Sequence, residues 1–408
     1  MKTKKNKQMG EETMQEMNCT CEKKHHCAPI DAILIEDGAI DKLPSLLEQY
    51  HRIFVVADQN TWRVAGERVA ALLSASGQLS HSFVFPGEVL PNAEAIGQIV
   101  IHAGPFAYDA VVDSFAPCPL PDFILGVGSG VINDVCRLSS FRLRLPYGIC
   151  ATAPSMDGYA SAGSPMLFDG TKATIKATTP RYIIADLNVV SEAPMAMCTA
   201  GVGDMLGKYT GILDWEMARD VTGEYWCGQI AQQVIEATDR VVALSEGLKS
   251  RSHDAVHSIL EGFIVTGLGM AYAGCSRPAS GSEHTIGHFW ELEYVAAGRK
   301  PNFHGDEVAE GTLLVSSIYR RLYNETDDAH LKALIAPYLP KFDGVERCIA
   351  QLGICLPVQD RDLIYRGILA GEALRDRYGV LKYLKARGEL EEYAAWAADQ
   401  LLANWFSK

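Results

Sequence analysis

The sequence predicts an open α/β domain with a parallel sheet, followed by an all-α domain. Three observations lead there. Up to about residue 190, short unbroken apolar runs rich in β-branched residues alternate with amphipathic stretches, the pattern of parallel strands covered on both faces by helices. Beyond that point strand signals stop and helical periodicity runs on to Trp405. The chain has 408 residues, of which 48% are hydrophobic and 21% charged. That length exceeds the roughly 250–300 residues at which a single core stops growing, so two domains are expected.

Residues 1–28 are polar and read as a flexible N-terminal tail. The tail ends in CTCEKKHHC, where Cys19, Cys21, Cys27, His25 and His26 could gather zinc, although the spacing matches no standard knuckle. The α/β domain is expected over 29–188. Its strands and helices alternate: RIFVVAD (52–58), a helix over 62–75, HSFVF (81–85), a helix over 93–103, FILGVG (123–128), a helix over 131–140 and YGICA (147–151). The stretch 171–186 reads as a hairpin and a final strand closing this half. The helical domain is expected over 189–408, with helices at 201–219, 225–244, 253–272, 282–296, 307–322 and onward.

Composition narrows the function. A net charge of −13 argues against a nucleic-acid groove or an anionic membrane surface, both of which need clustered Lys and Arg. A small-molecule substrate fits better. Eleven cysteines, an odd number without a regular framework, read as reduced cytoplasmic thiols. The N-terminus has no apolar stretch of the signal-peptide kind. The longest apolar tract, 263–273, falls short of the about 20 residues a bilayer span needs. Helix-rich domains commonly present apolar faces for self-association, so a homo-oligomer, dimer or larger, is expected.

The chemistry concentrates in four segments. Gly126, Val127, Gly128, Ser129 and Gly130 follow a buried strand and open a helix. Glycines there let backbone N–H groups approach a pyrophosphate at the positive end of the helix, or they simply make the turn. Asp58 ends the first strong strand, where it could hold a ribose hydroxyl or cap the next helix. The loop after YGICA carries Thr152, Ala153, Pro154, Ser155, Asp157 and Ser161 at the carboxyl end of a strand, the edge where open α/β sheets bind ligands. Asp204, His284, His288 and His304 form the fourth group: one carboxylate and two or three imidazoles can hold a divalent metal with a position left open. Asp204 could equally be an N-cap, and Lys208, four residues on, its ion-pair partner. His284 and His288 stand i,i+4, on one helical face. The HExxH pattern of zinc hydrolases is absent.

In order, GVGSGVINDVCR, TAPSMDGYASAGSPM, GVGDMLGKYTGILDWEMA, SGSEHTIGHFWEL and NFHGDEVAEGTLL resemble the sn-glycerol-1-phosphate dehydrogenases. The likeness is to their bacterial AraM-like branch, within the iron-containing alcohol dehydrogenase and dehydroquinate synthase-like superfamily, and it covers about 30–400. It implies NAD(H)- or NADP(H)-dependent interconversion of dihydroxyacetone phosphate and sn-glycerol 1-phosphate, a small phosphorylated three-carbon substrate. Residues 126–130 would bind the cofactor diphosphate, with Thr152 to Ser155 and Ser161 around the nicotinamide. Asp157 would contact substrate, Asp204, His284 and His304 would hold one divalent metal (zinc, nickel or iron), and His288 would relay a proton. Val127 departs from the third consecutive glycine usual in relatives. Three alternatives share parts of this pattern: a glycerol dehydrogenase or other metal-dependent alcohol dehydrogenase, a dehydroquinate synthase-type lyase, and a non-enzymatic nucleotide binder.

Overall fold

A computed structural model of the chain describes residues 19, 21–23, 25, 29–104, 120–168 and 171–406. Among the described residues, contacts gather those within 29–154 and 158–193 into one unit, and 19, 21–23, 25, 155–157 and 194–406 into a second.

In the first unit, β2 (Ile53–Asp58), β4 (Phe123–Gly128), β5 (Tyr147–Ala151) and β8 (Tyr182–Asp186) are buried along nearly their whole length. β1 (Ala32–Glu36) and β3 (Leu79–Phe85) are only half-buried, because they form the edges of the sheet, whose order is β1-β8-β5-β4-β2-β3. Every pairing in it is parallel. Alternate side chains point to opposite faces, so Val55, Ala57, Leu125 and Val127 enter one core while Phe54, Val56 and Ile124 enter the other. The latter core is shared by α2 (Ala93–His102) and α3 (Gly130–Leu143), and α1 (Glu67–Ala75) packs in the former. This is the parallel α/β architecture expected.

Parallel pairing has a functional consequence. Ala57 pairs with Val127, and Gly128 with Ala151, so Asp58, the glycine turn and the loop after β5 leave the same edge of the sheet. One expectation changes in detail. The hairpin does not lie within 171–186: β7 (Thr171–Lys176) pairs antiparallel with β6 (Gly163–Phe168) as a separate two-stranded sheet. Gly163 and Pro165 hid the first arm, since both weaken a strand signal.

The second unit is helical: α4 (Met195–Leu206), α5 (Lys208–Thr222), α6 (Gly228–Leu244), α7 (His253–Ala273), α8 (Ser282–Ala296), α9 (His304–Glu325), α10 (Leu339–Leu352), α11 (Arg361–Gly371) and α12 (Leu390–Trp405) are its longer elements. α7 is long and apolar enough to cross a bilayer by composition, but 72% of its most apolar window is buried within the fold, as a core helix is. Where one helix over 201–219 was expected, α4 and α5 meet at Gly207.

α4 and α9 cross at unusually short range. A Cβ on Gly305 would stand 1.7 Å from the Ala200 carbonyl oxygen, and one on Gly203 would stand 2.3 Å from that of Gly305. Backbone atoms cannot move aside as a side chain can, so both positions must lack a side chain. Their chain neighbours are Asp204 and His304.

The expected tail is ordered in part. Described residues Cys19, Cys21, Lys23 and His25 hydrogen-bond to residues of the second unit. A short polar segment gave no sign in the sequence of the partners it would find. His26 and Cys27 lie outside the described residues.

Candidate active site

Asp204 lies inside α4, nine residues past its start, so the N-cap reading is replaced by a buried carboxylate on the helix face turned toward α9. His284 comes from the first turn of α8 and His304 opens α9. Their donor atoms all lie within 4.8 Å of one another. His284 Nε2 is 3.5 Å from Asp204 Oδ1, and the His284 and His304 rings are 5.2 Å apart between centroids. One carboxylate and two imidazoles are a borderline donor set suited to zinc, nickel or ferrous iron.

Two buried groups surround these side chains, and neither is marked as part of the site by residue type or spacing. Lys208 is fully buried and donates to Asp204 Oδ1 and Asp157 Oδ2, both at 2.7 Å, and to the Ala279 carbonyl at 2.9 Å. The i,i+4 ion pair is therefore real, and it extends to a second carboxylate. Asp157 in turn donates its backbone N–H to Asp204 Oδ2 at 2.9 Å. Glu283 Oε1 accepts from His284 Nδ1 at 2.7 Å and from Gly281 N at 2.6 Å, while its Oε2 accepts from Thr210 at 2.7 Å. A carboxylate on Nδ1 fixes the imidazole tautomer and leaves Nε2 facing Asp204. Nothing in the sequence signals Glu283 except its adjacency to His284.

The charges set the protonation states. Burial opposes ionisation of Asp204, but Lys208 and the histidines overcome it and hold the carboxyl far below its ordinary range. Asp157 is pushed up, first by burial and then by the neighbouring Asp204 charge. Two adjacent carboxyls with pKa values moved apart are a usual sign of divided roles. His284 is raised: burial and Lys208 act against its protonation, but Asp204 and Glu283 prevail.

A pH dependence follows. His284 keeps its proton to a higher pH than free imidazole does, so a metal bound through its Nε2 would have to displace that proton; Asp204 is already ionised and contributes no slope. Apparent metal affinity is expected to strengthen as pH rises, about tenfold per unit for each displaced proton, until the raised range is passed. Competition against a chromophoric chelator between about pH 6 and 8 checks this; an affinity flat across that window would contradict the ligand assignment.

His288 lies one turn from His284, its ring stacked on His304 at 5.5 Å, and Arg375 Nη2 approaches His288 Nδ1 at 3.4 Å. His288, Glu291 and His304 also bring donor atoms within 4.8 Å of one another. No sequence pattern marked Arg375.

In the first unit, Gly126, Val127 and Gly128 end β4, and Ser129 and Gly130 start α3. A Cβ on Gly128 would stand 2.6 Å from the Cβ of Ile132, so this glycine is required for the close strand-to-helix turn. The Ser129 side chain does not cap the helix. Asp58 does cap: its Oδ1 accepts from the Asn60 and Thr61 backbones at 2.8 and 2.9 Å, the bland alternative to a ribose contact. Arg137, buried in α3, donates to the carbonyls of Gly158, Tyr159 and Gly163 and so fixes the loop that carries Ser161. Thr152, Ala153 and Pro154 belong to the first unit, Ser155 and Asp157 to the second.

With this geometry in view, residues 34–194 match the family described as iron-containing alcohol dehydrogenase. Among relatives, the glycerol-1-phosphate dehydrogenase, NAD(P)+-linked, of Bacillus licheniformis is 31% identical over 91% of this chain and 93% of its own length. The one from the archaeon Methanosarcina acetivorans is 29% identical over 86% and 89%. Among solved structures, the sulfoacetaldehyde reductase of Bifidobacterium kashiwanohense in complex with NAD+ superposes with a TM-score of 0.66 at 15% identity, over 91% of this chain and 98% of that one. A probable glycerol dehydrogenase from Sinorhizobium meliloti gives 0.63 at 21% identity, over the same shares. At such identities the structures speak for the fold alone.

Proposed function

The chain belongs to the glycerol-1-phosphate dehydrogenase family, and on that premise we propose that it interconverts dihydroxyacetone phosphate and sn-glycerol 1-phosphate by NAD(P)-linked hydride transfer at C2. The observation that carries this reading is the cluster of Asp204, His284 and His304, whose donor atoms lie within 4.8 Å of one another. A divalent ion held there supplies Lewis acidity toward a carbonyl oxygen.

The roles of the chain's own groups are proposals. The backbone at Gly126, Val127, Gly128, Ser129 and Gly130 takes the cofactor diphosphate, supported by the N-terminus of α3, which Ser129 leaves uncapped by its side chain. Thr152, Ala153, Pro154, Ser155 and Ser161 surround the nicotinamide. Asp58 meets the ribose through the carboxylate oxygen not engaged in capping. Asp157, held by Lys208, contacts substrate, and Lys208 keeps Asp204 ionised. His288 delivers the proton at the alcohol oxygen: with Arg375 donating to Nδ1, the transferable proton sits on Nε2. The domains are read as 29–188 for the cofactor and 189–408 for metal and substrate, in a cytoplasmic homo-oligomer.

The substrate phosphate needs a cation. Lys208 is committed to two carboxylates and a carbonyl, so we assign the phosphate to Arg375, next to His288 and still charged at neutral pH although burial lowers its pKa. Arg375→Ala is expected to raise KM for dihydroxyacetone phosphate by about 10- to 100-fold, the value of a charge-assisted hydrogen bond. Turnover of unphosphorylated dihydroxyacetone should fall much less, by no more than the lost Arg375–His288 contact costs. Equal losses on both substrates would remove the assignment. For the reaction as a whole, steady-state oxidation of the two glycerophosphate enantiomers and of glycerol decides: preference for sn-glycerol 3-phosphate or for glycerol refutes the reading.

A further inference from the structure

We propose that Cys19, Cys21, His25 and Cys227 form a second metal site, a structural tetrahedral zinc centre that fastens the N-terminal segment to the helical unit. It shares no residue with the cluster of Asp204, His284 and His304, and it does not depend on the proposed reaction.

The donors converge from two places far apart in the chain. Cys19, Cys21 and His25 come from the N-terminal segment, and Cys227 is the N-cap of α6, fully buried and making no side-chain cap. Cys19 Sγ lies 3.4 Å from Cys227 Sγ, Cys21 Sγ 3.0 Å from His25 Nε2, and Cys227 Sγ 3.6 Å from His25 Nε2. All four donor atoms lie within 4.8 Å of one another. A tetrahedral zinc with Zn–S near 2.3 Å and Zn–N near 2.0–2.1 Å has donor-to-donor edges of about 3.4–3.8 Å. The set is already close to that size.

The surroundings match what such a site requires. His25 is buried, and its Nδ1 bonds the Tyr272 carbonyl at 3.0 Å, which places the proton on Nδ1 and directs the Nε2 lone pair to the sulfurs. The Cys21 backbone N–H points to Cys19 Sγ at 3.4 Å, and the Tyr225 hydroxyl lies 3.4 Å from Cys21 Sγ, contacts that suit thiolate sulfur. Three thiolates around Zn²⁺ leave one negative charge. Lys23, between the ligands in sequence, is held over the Tyr225 ring at 4.0 Å and bonded to the Ala273 carbonyl at 3.1 Å, bringing a compensating cation. Three thiolates and one imidazole select zinc over the hard cations. The set has no open fourth position, as in structural rather than catalytic zinc.

The competing use of these thiols is a Cys19–Cys227 disulfide, which would consume two donors. The full-length His284→Ala protein, disabled at the other site, separates the outcomes. It is expected to retain about one zinc per chain by elemental analysis, to release it when a mercurial titrates the thiols, and to show thiolate-to-cobalt charge-transfer absorption when cobalt replaces zinc. Adding Cys227→Ser should abolish both signals. Because Cys227 is buried, Cys21→Ser at a part-exposed position serves as the second variant, expected to weaken zinc binding more than about 10²-fold, beyond a typical outer-shell effect. Negligible zinc with no charge-transfer band, zinc retained after Cys227→Ser, an unchanged zinc affinity in Cys21→Ser, or a Cys19–Cys227 disulfide in the purified protein would each overturn the proposal.

Discussion

His284→Ala is expected to lose the active-site metal and turnover together, with the helical fold intact. In the proposed ligand set His284 supplies one of three donors, and its Nε2 is 3.5 Å from Asp204 Oδ1. Lewis acidity contributes several kcal/mol to charge stabilisation, and at about 1.4 kcal/mol per decade of rate its loss lowers kcat/KM by about 10³-fold or more. The effect should be graded around the site. Glu283→Gln keeps the volume and a hydrogen bond to His284 Nδ1 but removes the charge that makes the ring a stronger donor, so a decrease of about 10- to 100-fold in metal affinity is expected. Metal content after dialysis against chelator, with kcat/KM on dihydroxyacetone phosphate, reads both variants. A His284→Ala protein that keeps its ion and its rate would falsify the ligand set.

Gly305→Ala should be the most damaging single methyl in the helical unit. The added Cβ meets the Ala200 carbonyl oxygen at 1.7 Å and its carbon at 2.4 Å, both backbone atoms. Relief requires α4 and α9 to move apart, and those two helices carry Asp204 and His304. Overpacking of this kind costs about 3 kcal/mol or more, roughly 6–12 °C in Tm for a unit of this size, and separating the helices also spreads the donors. Gly97→Ala, in α2 with nothing within 4 Å of the new Cβ, is the control and should gain slightly through helix propensity. Calorimetry and metal analysis of the two variants test the contrast. An unchanged Tm and full metal content in Gly305→Ala would show that the crossing is looser than described.

The sequence by itself determined the layering of this protein. Unbroken apolar runs at β2, β4 and β5 and helical periodicity after residue 190 are local patterns set by the burial each element needs, so they could be read without a partner in view. The grouping of Asp204, His284 and His304 was legible too, because residue type and motif order carry that information, and their donor atoms do converge. What the tertiary structure alone decided was who stands beside whom. For Asp204 the N-cap alternative stood beside the ligand reading until α4 was seen to begin at Met195. Lys208 looked like half of an ordinary intrahelical pair until burial placed it between two carboxylates. Arg375 beside His288 and Cys227 beside Cys19 are separated by 87 and 208 residues in the chain. Contacts at such separations arise from the packing of whole helices, and no local periodicity encodes them.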